Sequence, residues 1–154
     1  MNTDSLEKFI FLANTHGYGS SSVDEEKLPN GENVIRFSDS QFELKDVYYG
    51  GEPYAGQEIV FYENRAVWAM QYRGSVVSGE ELSSLYAFIG KALTNTKLGQ
   101  PRGVDGFSNN DFVYNVSMEG NLSEFKLVET IRRSGNLVYR AEFLGGLVDV
   151  RREA

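Results

Sequence analysis

A chain of 154 residues with 41% hydrophobic, 13% aromatic and 24% charged residues is long enough for one well-buried domain and too aromatic for a disordered one. A formal charge of −7, with Arg132-Arg133 and Arg151-Arg152 as its basic doublets, argues against binding to a phosphate backbone. The lack of cysteine excludes disulfides, a thiol nucleophile and thiolate-bound metal. No secretory pattern opens the chain and no apolar run reaches about eighteen residues, so a cytoplasmic protein without a membrane span is expected.

Leu6, Phe9, Ile10 and Ala13 recur at helical spacing and predict a first helix over 4–14, with Asp4 and Glu7 as a capping box. The following "NTHGYGSSS" reads as a C-terminal glycine stop, since phosphate cradles precede a helix rather than follow one. Residues 23–33, polar and holding Pro29 and Asn30-Gly31, read as a loop or mobile flap. Strands are predicted at 34–37, 42–49, 58–62 and 66–73, the last two joined by a turn at Asn64-Arg65. A second helix is predicted over 79–94, capped by Ser78 and Glu81, with Leu82, Leu85, Ile89 and Leu93 as its buried stripe. A long glycine-bearing connection then leads to strands at 112–118, 127–133 and 137–144.

Shifted by 71 positions, "EIVFYENRAVWAMQYRGSVV" lies without a gap over "ETIRRSGNLVYRAEFLGGLV". Glu58 falls on Glu129, Val67 on Val138, Gly74 on Gly145 and Val77 on Val148. The predicted fold is therefore α+β, one domain over 1–154 built from two pseudo-repeats at about 1–78 and 79–150. Each is a helix plus three antiparallel strands, with both helices on one side of the sheet.

With the turn at Asn64-Arg65, Phe61 pairs with Trp68 and Ile59 with Met70. Ile59, Phe61, Trp68, Met70 and Tyr72 then share an apolar face for the helices, which makes the aromatics core. The opposite face carries Glu58, Val60, Gln71 and Arg73 and, by the repeat, Glu129, Arg140 and Glu142. Two glutamates facing one groove can bind a cation or do acid–base work, or can be solvated residues paired with Arg73 and Arg140. Tyr48, Tyr49 and Tyr54 around Gly50-Gly51 suit either a pocket rim or a packed turn. His16, the single histidine, has no zinc or triad motif beside it. Asp105, Asn109, Asn110 and Asp111 have the composition of a calcium loop without its spacing. No catalytic residue, metal ligand or cofactor is assigned.

The segment "VYYGGEPYAGQEIVFYENRAVWAMQYRG" resembles the bacterial family labelled domain of unknown function 5680, through Gly50-Gly51, Gly56-Gln57-Glu58 and Val67-Trp68-Ala69-Met70. The later "PRGVDGF", "FVYNVSMEG" and "GNLVYRAEFLGGLV" resemble that family's second half, and "FLANTHGYGSSS" is similar to the stretch after its first helix. The resemblance covers nearly the whole chain and implies no established activity. Some members look like the C-terminal part of proteins that begin with a helix-turn-helix DNA-binding domain, which would make this chain a stand-alone relative of a regulator. The duplicated architecture is also similar to that of gyrase-inhibitor-like, drug-binding effector domains.

Three functional readings follow. The first is a non-enzymatic small-ligand-binding or sensory domain, with its groove at Glu58, Gln71, Arg73, Glu129, Arg140, Glu142, Tyr49 and Tyr54. Such a groove would favour a cationic, partly apolar organic ligand. The second is an interaction module that forms a homodimer through sheet edges. The third is an enzyme, disfavoured by the missing nucleophile–base and metal patterns.

Overall fold

Alternating hydrophobicity and a series of tight turns give this chain a sheet first and helices second. The computed structural model describes residues 1–18, 25–77, 79 and 81–151. Helix α1 (Thr3–Ala13) and a π turn (Asn14–Tyr18) lead into strands β1 (Glu25–Lys27), β2 (Glu32–Asp39), β3 (Phe42–Tyr49), β4 (Tyr54–Tyr62) and β5 (Arg65–Val76). Helix α2 (Leu82–Thr94) leads into β6 (Ser108–Asn109), β7 (Phe112–Asn121), β8 (Glu124–Arg133) and β9 (Asn136–Leu147). Among the described residues these nine strands form one antiparallel sheet in the order β1-β2-β3-β4-β5-β9-β8-β7-β6. The α+β class holds, with the sheet dominant, and the first half supplies four long strands rather than three.

The helix ends differ from expectation. Asn2, not Asp4, caps α1, its side chain accepting from the Ser5 amide at 2.8 Å. No glycine stops the helix where Asn14 begins the π turn, and the Thr15 hydroxyl donates to the Phe11 carbonyl at 3.0 Å. The stretch from Gly19 to Ser22 lies outside the described residues. At α2 the Glu81 carboxylate accepts from the hydroxyls of Ser83 and Ser84, at 2.5 and 2.9 Å. Ser78, the expected cap, also lies outside the described residues. Most of the expected flap at 23–33 is instead the β1–β2 hairpin, where Leu28 donates to the Glu32 carbonyl at 2.8 Å.

The decisive difference is one of register. The β4–β5 turn is Glu63-Asn64, both at positive φ (48° and 65°), as a two-residue I′ turn requires. A bulge between Val60 and Phe61 follows, and beyond it Val60 faces Trp68, Ile59 faces Ala69 and Glu58 faces Met70. A one-residue slip exchanges the faces of a strand. Glu58 and Val60 therefore point with Trp68 towards the helices, while Ile59 and Phe61 point away from them. The β8–β9 hairpin repeats the pattern: Ser134 and Gly135 sit at positive φ, a bulge lies between Ile131 and Arg132, and Ile131 faces Tyr139.

Both helices pack on that same face. Phe9 of α1 stacks on Phe42 at 5.0 Å, and Phe88 of α2 stacks on Phe112 at 5.2 Å. Between and beneath them lie Leu44, Val60, Trp68, Met70, Leu127, Ile131 and Phe143, all buried. Trp68 has no solvent exposure; its indole stacks on Phe125 at 5.9 Å and its Nε1 donates to the Leu122 carbonyl at 2.9 Å. Trp68→Ala is expected to cost about 3–5 kcal/mol by loss of buried contact and the cavity it leaves. Denaturant unfolding measures this, and an equally stable variant would contradict the packing described.

Candidate functional site

In β8 the residues Phe125, Leu127, Glu129 and Ile131 alternate inward, so a glutamate sits in core phase with no solvent exposure. A carboxylate there needs charge and hydrogen bonds. Arg102 supplies both as a two-pronged fork, Nε to Oε2 at 3.0 Å and Nη2 to Oε1 at 2.8 Å. The Tyr114 hydroxyl donates to Oε2 at 2.5 Å and the Tyr139 hydroxyl to Oε1 at 3.2 Å. Burial opposes the Arg102 charge, but the Glu129 charge and its hydrogen bonds prevail and hold the guanidinium pKa well above its ordinary value.

The loop that carries Arg102 has its own anchors. The buried Asn14 side chain donates to the Pro101 carbonyl at 3.1 Å, and the Thr96 hydroxyl donates to the Arg102 carbonyl at 2.7 Å. The Gly103 amide donates to Tyr114 Oη at 3.2 Å. A Cβ on Gly103 would stand 2.6 Å from the Ala92 carbonyl oxygen, so this approach of loop to helix requires glycine.

A second carboxylate cluster lies in the other half of the sheet. Phe42, Leu44, Asp46 and Tyr48 share the inward face of β3, and Asp46 stands directly opposite Glu58 on β4. Asp46 and Glu58 are only 4% and 3% exposed. The Tyr72 hydroxyl donates to Asp46 Oδ1 at 2.5 Å. Both carboxylates line a cavity of about 840 Å³ between this half of the sheet and α2. Tyr48, Tyr54, Met70, Tyr72 and Phe143 form its floor, Tyr86, Ile89, Gly90 and Leu93 its helical wall. Arg102, over the Phe143 ring at 4.6 Å, closes one end, and Lys27 stands at the β1 side.

The tyrosines around the cavity are tied at their hydroxyls. Tyr54 bonds to Tyr139, Tyr48 donates to Glu25, and Tyr86 donates to the Gly51 carbonyl at 3.0 Å and to Glu52 at 2.8 Å. Burial pushes the Tyr54 phenol up to about 12, with Arg102 pulling it back and Glu129 adding to the rise. Burial, then the Asp46 charge, raises Tyr72; burial and a hydrogen-bonded carboxylate raise Tyr48 and Tyr86.

The sheet thus divides the residues read as one groove. Glu58 and Tyr54 meet at the cavity, and Glu129 lies behind Arg102. Gln71, Arg73, Arg140 and Glu142 project from the other face, where Arg140 pairs with Glu142 at 2.7 Å. Tyr49, about half exposed, is also on that side and donates to Glu32 at 3.0 Å. Asp46, Tyr72, Tyr86, Gly90 and Arg102 escaped sequence reasoning. The alternation Phe42, Leu44, Asp46, Tyr48 was a visible signal for the first, whereas loop residue Arg102 had no periodicity to betray it.

Elsewhere, Asp105 accepts from the Val116 amide at 2.9 Å and Asp111 pairs with Arg133 at 2.8 Å, so these acids tie their loop to the sheet. Among the described residues no group of three or more His, Cys, Asp or Glu is placed to hold a metal ion, and no helix is long and apolar enough to cross a membrane. A family profile described as Domain of unknown function (DUF5680) matches residues 46–148. No curated protein and no solved structure matches the chain.

Glu129→Gln leaves the buried Arg102 without its counter-charge and is expected to cost about 3–5 kcal/mol. The double replacement Glu129→Gln/Arg102→Met should recover much of that loss in denaturant unfolding; additive losses would contradict the bridge. A pH effect follows from Tyr54. Its phenol holds its proton more tightly folded (about 12) than unfolded (10.0), so its contribution is complete below pH 10 and lost as pH rises towards 12. That contribution is on the order of 2–3 kcal/mol. Tyr54→Phe should lessen the alkaline fall in stability over this window, and an unchanged profile would contradict the assignment.

Proposed function

Because the chain belongs to the domain of unknown function 5680 family, whose name carries no activity, we propose its function from the cavity. It is a non-enzymatic ligand-binding or sensory domain that takes a small organic cation. One observation carries this reading: two buried carboxylates, Asp46 and Glu58, stand side by side in a cavity of about 840 Å³. That volume lies within the range of small-molecule sites, roughly 300–1,000 Å³. Charge that has left water favours a cationic occupant, and tyrosine rings with Met70 and Leu93 supply an apolar wall.

Gly90 adds support. Glycine inside a helix costs about 1 kcal/mol relative to alanine. No heavy atom lies within 4 Å of the position its Cβ would take, so packing does not demand it. What its small size preserves is the open volume of the cavity.

We also infer that the two bulged hairpins are copies of one unit. They share a turn, a bulge and an inward glutamate at an offset of 71 positions. On this reading the copies have diverged in place: Glu129 is held by Arg102 in the core, and Glu58 lines the cavity. Edge pairing is the weaker alternative, because β1 and β6 are three and two residues long and read Glu-Glu-Lys and Ser-Asn.

The experiment is a thermal-shift screen of organic cations with neutral and anionic controls. At about a hundredfold above its dissociation constant, a cation should add roughly 2.7 kcal/mol, a rise on the order of 5–10 °C in Tm. Asp46→Asn/Glu58→Gln should abolish the rise while staying folded. Gly90→Leu should abolish it too, by filling the cavity, with an unliganded Tm at least that of the parent. Stabilisation by anions alone, or responses unchanged in both variants, would overturn the proposal.

A further inference from the structure

We propose that the chain forms a homodimer by packing the helix-free face of its sheet on the same face of a second copy. An antiparallel sheet with one solvated face ordinarily turns polar side chains outward. The outward positions at the centre of this sheet break that rule. Ile59 stands directly opposite Ala69, and Ala69 directly opposite Gly146, across β4, β5 and β9. Val67 and Val148 adjoin them, linked by a backbone hydrogen bond of 3.0 Å, and Phe61 and Leu144 extend the patch on either side. Leu144 is 53% exposed and Val148 38%, and a contiguous apolar patch of this kind marks an interaction surface.

The charges around the patch show what covers it. Arg73 stands opposite Glu142, and Lys126 opposite Glu119, so this face is balanced in a chain whose formal charge is −7. Lys45, Ile59, Ala69, Gly146 and Glu124 form one row across β3, β4, β5, β9 and β8. The row carries opposite charges at its two ends and a large residue across Ala69 from a glycine. A twofold axis along β5 lays such a row on its own reverse, as a self-complementary interface requires. Lys45 then meets Glu124 of the second copy, and Ile59 fills the space above Gly146 of the second copy. Arg73, near the axis, lies between its own Glu142 and that of the second copy. The five strands from β3 to β8 are eight to twelve residues long. At strand spacings of about 4.8 Å they offer roughly 800 Å² per copy, the size of a standard stable interface. Two sheets stacked in this way keep the helices outermost and both cavities outside the interface.

Sedimentation equilibrium of the full chain tests the proposal, with circular dichroism as the check on folding. The parent should be a dimer at micromolar concentration. Leu144→Glu should weaken association at least about tenfold by placing a charge in the apolar centre. Lys45→Glu should weaken it as well, and Lys45→Glu/Glu124→Lys should restore it. Within one copy these two residues lie four strand spacings apart, roughly 19 Å, so the rescue requires contact between copies. A monomeric parent would overturn the proposal. So would a Leu144→Glu variant that associates like the parent, or a double variant no better than Lys45→Glu.

Discussion

Placing the carboxylate of Glu129 out of reach of water costs several kcal/mol unless the protein returns charge and hydrogen bonds. Three elements converge to return them. The α2–β6 connection brings Arg102, β7 brings Tyr114 and β9 brings Tyr139. Once the guanidinium is fixed by its fork, its flat face lies over Phe143, and Phe143 packs against Tyr72 at 5.7 Å. The bridge thus sets the end wall of the cavity and the position of the phenol that serves Asp46. Its anchors reach further: Asn14, just past α1, holds the Pro101 carbonyl beside it.

A sheet covered by helices on one face alone has more apolar surface than two helices of eleven and thirteen residues can seal. The first helix places Phe9 against Phe37 and Phe42, and the second places Phe88 against Phe107 and Phe112 and Tyr86 against Tyr54 at the cavity's edge. Beside the Tyr86–Tyr54 contact the sheet carries Asp46 and Glu58 where a core would carry leucine, and α2 carries Gly90 where a core would carry a larger side chain. Charge below and missing volume above coincide at one place. The proposed function rests on that coincidence.

Much of the architecture was legible in the sequence. Helical spacing at Leu6, Phe9 and Ile10 located α1, and the apolar stripe from Leu85 to Leu93 located α2. Long strands were found to within a few residues because period-two patterns survive single-sequence reading. The candidate site was only partly legible, and the reason is a single bulge. With Val67 of β5 left as the extra residue between the Phe61–Ala66 and Val60–Trp68 pairs, the phase of β4 against β5 reverses relative to a regular hairpin, and Glu58 moves from the open face to the helix face. Alternation along one strand cannot reveal its phase against a neighbour when a bulge intervenes. Arg102 was hidden for another reason: loop residues carry no periodic signal, and only the demand of a glutamate in core phase points to one.

The most direct measurement is a crystal structure of the chain with an organic cation that raises its Tm. The cation is expected in the cavity beside Asp46 and Glu58, with its body between the floor tyrosines and Gly90 of α2. A ligand seated on the opposite face beside Arg73 and Glu142, or α2 packed down on the carboxylates with no cavity between, would contradict it.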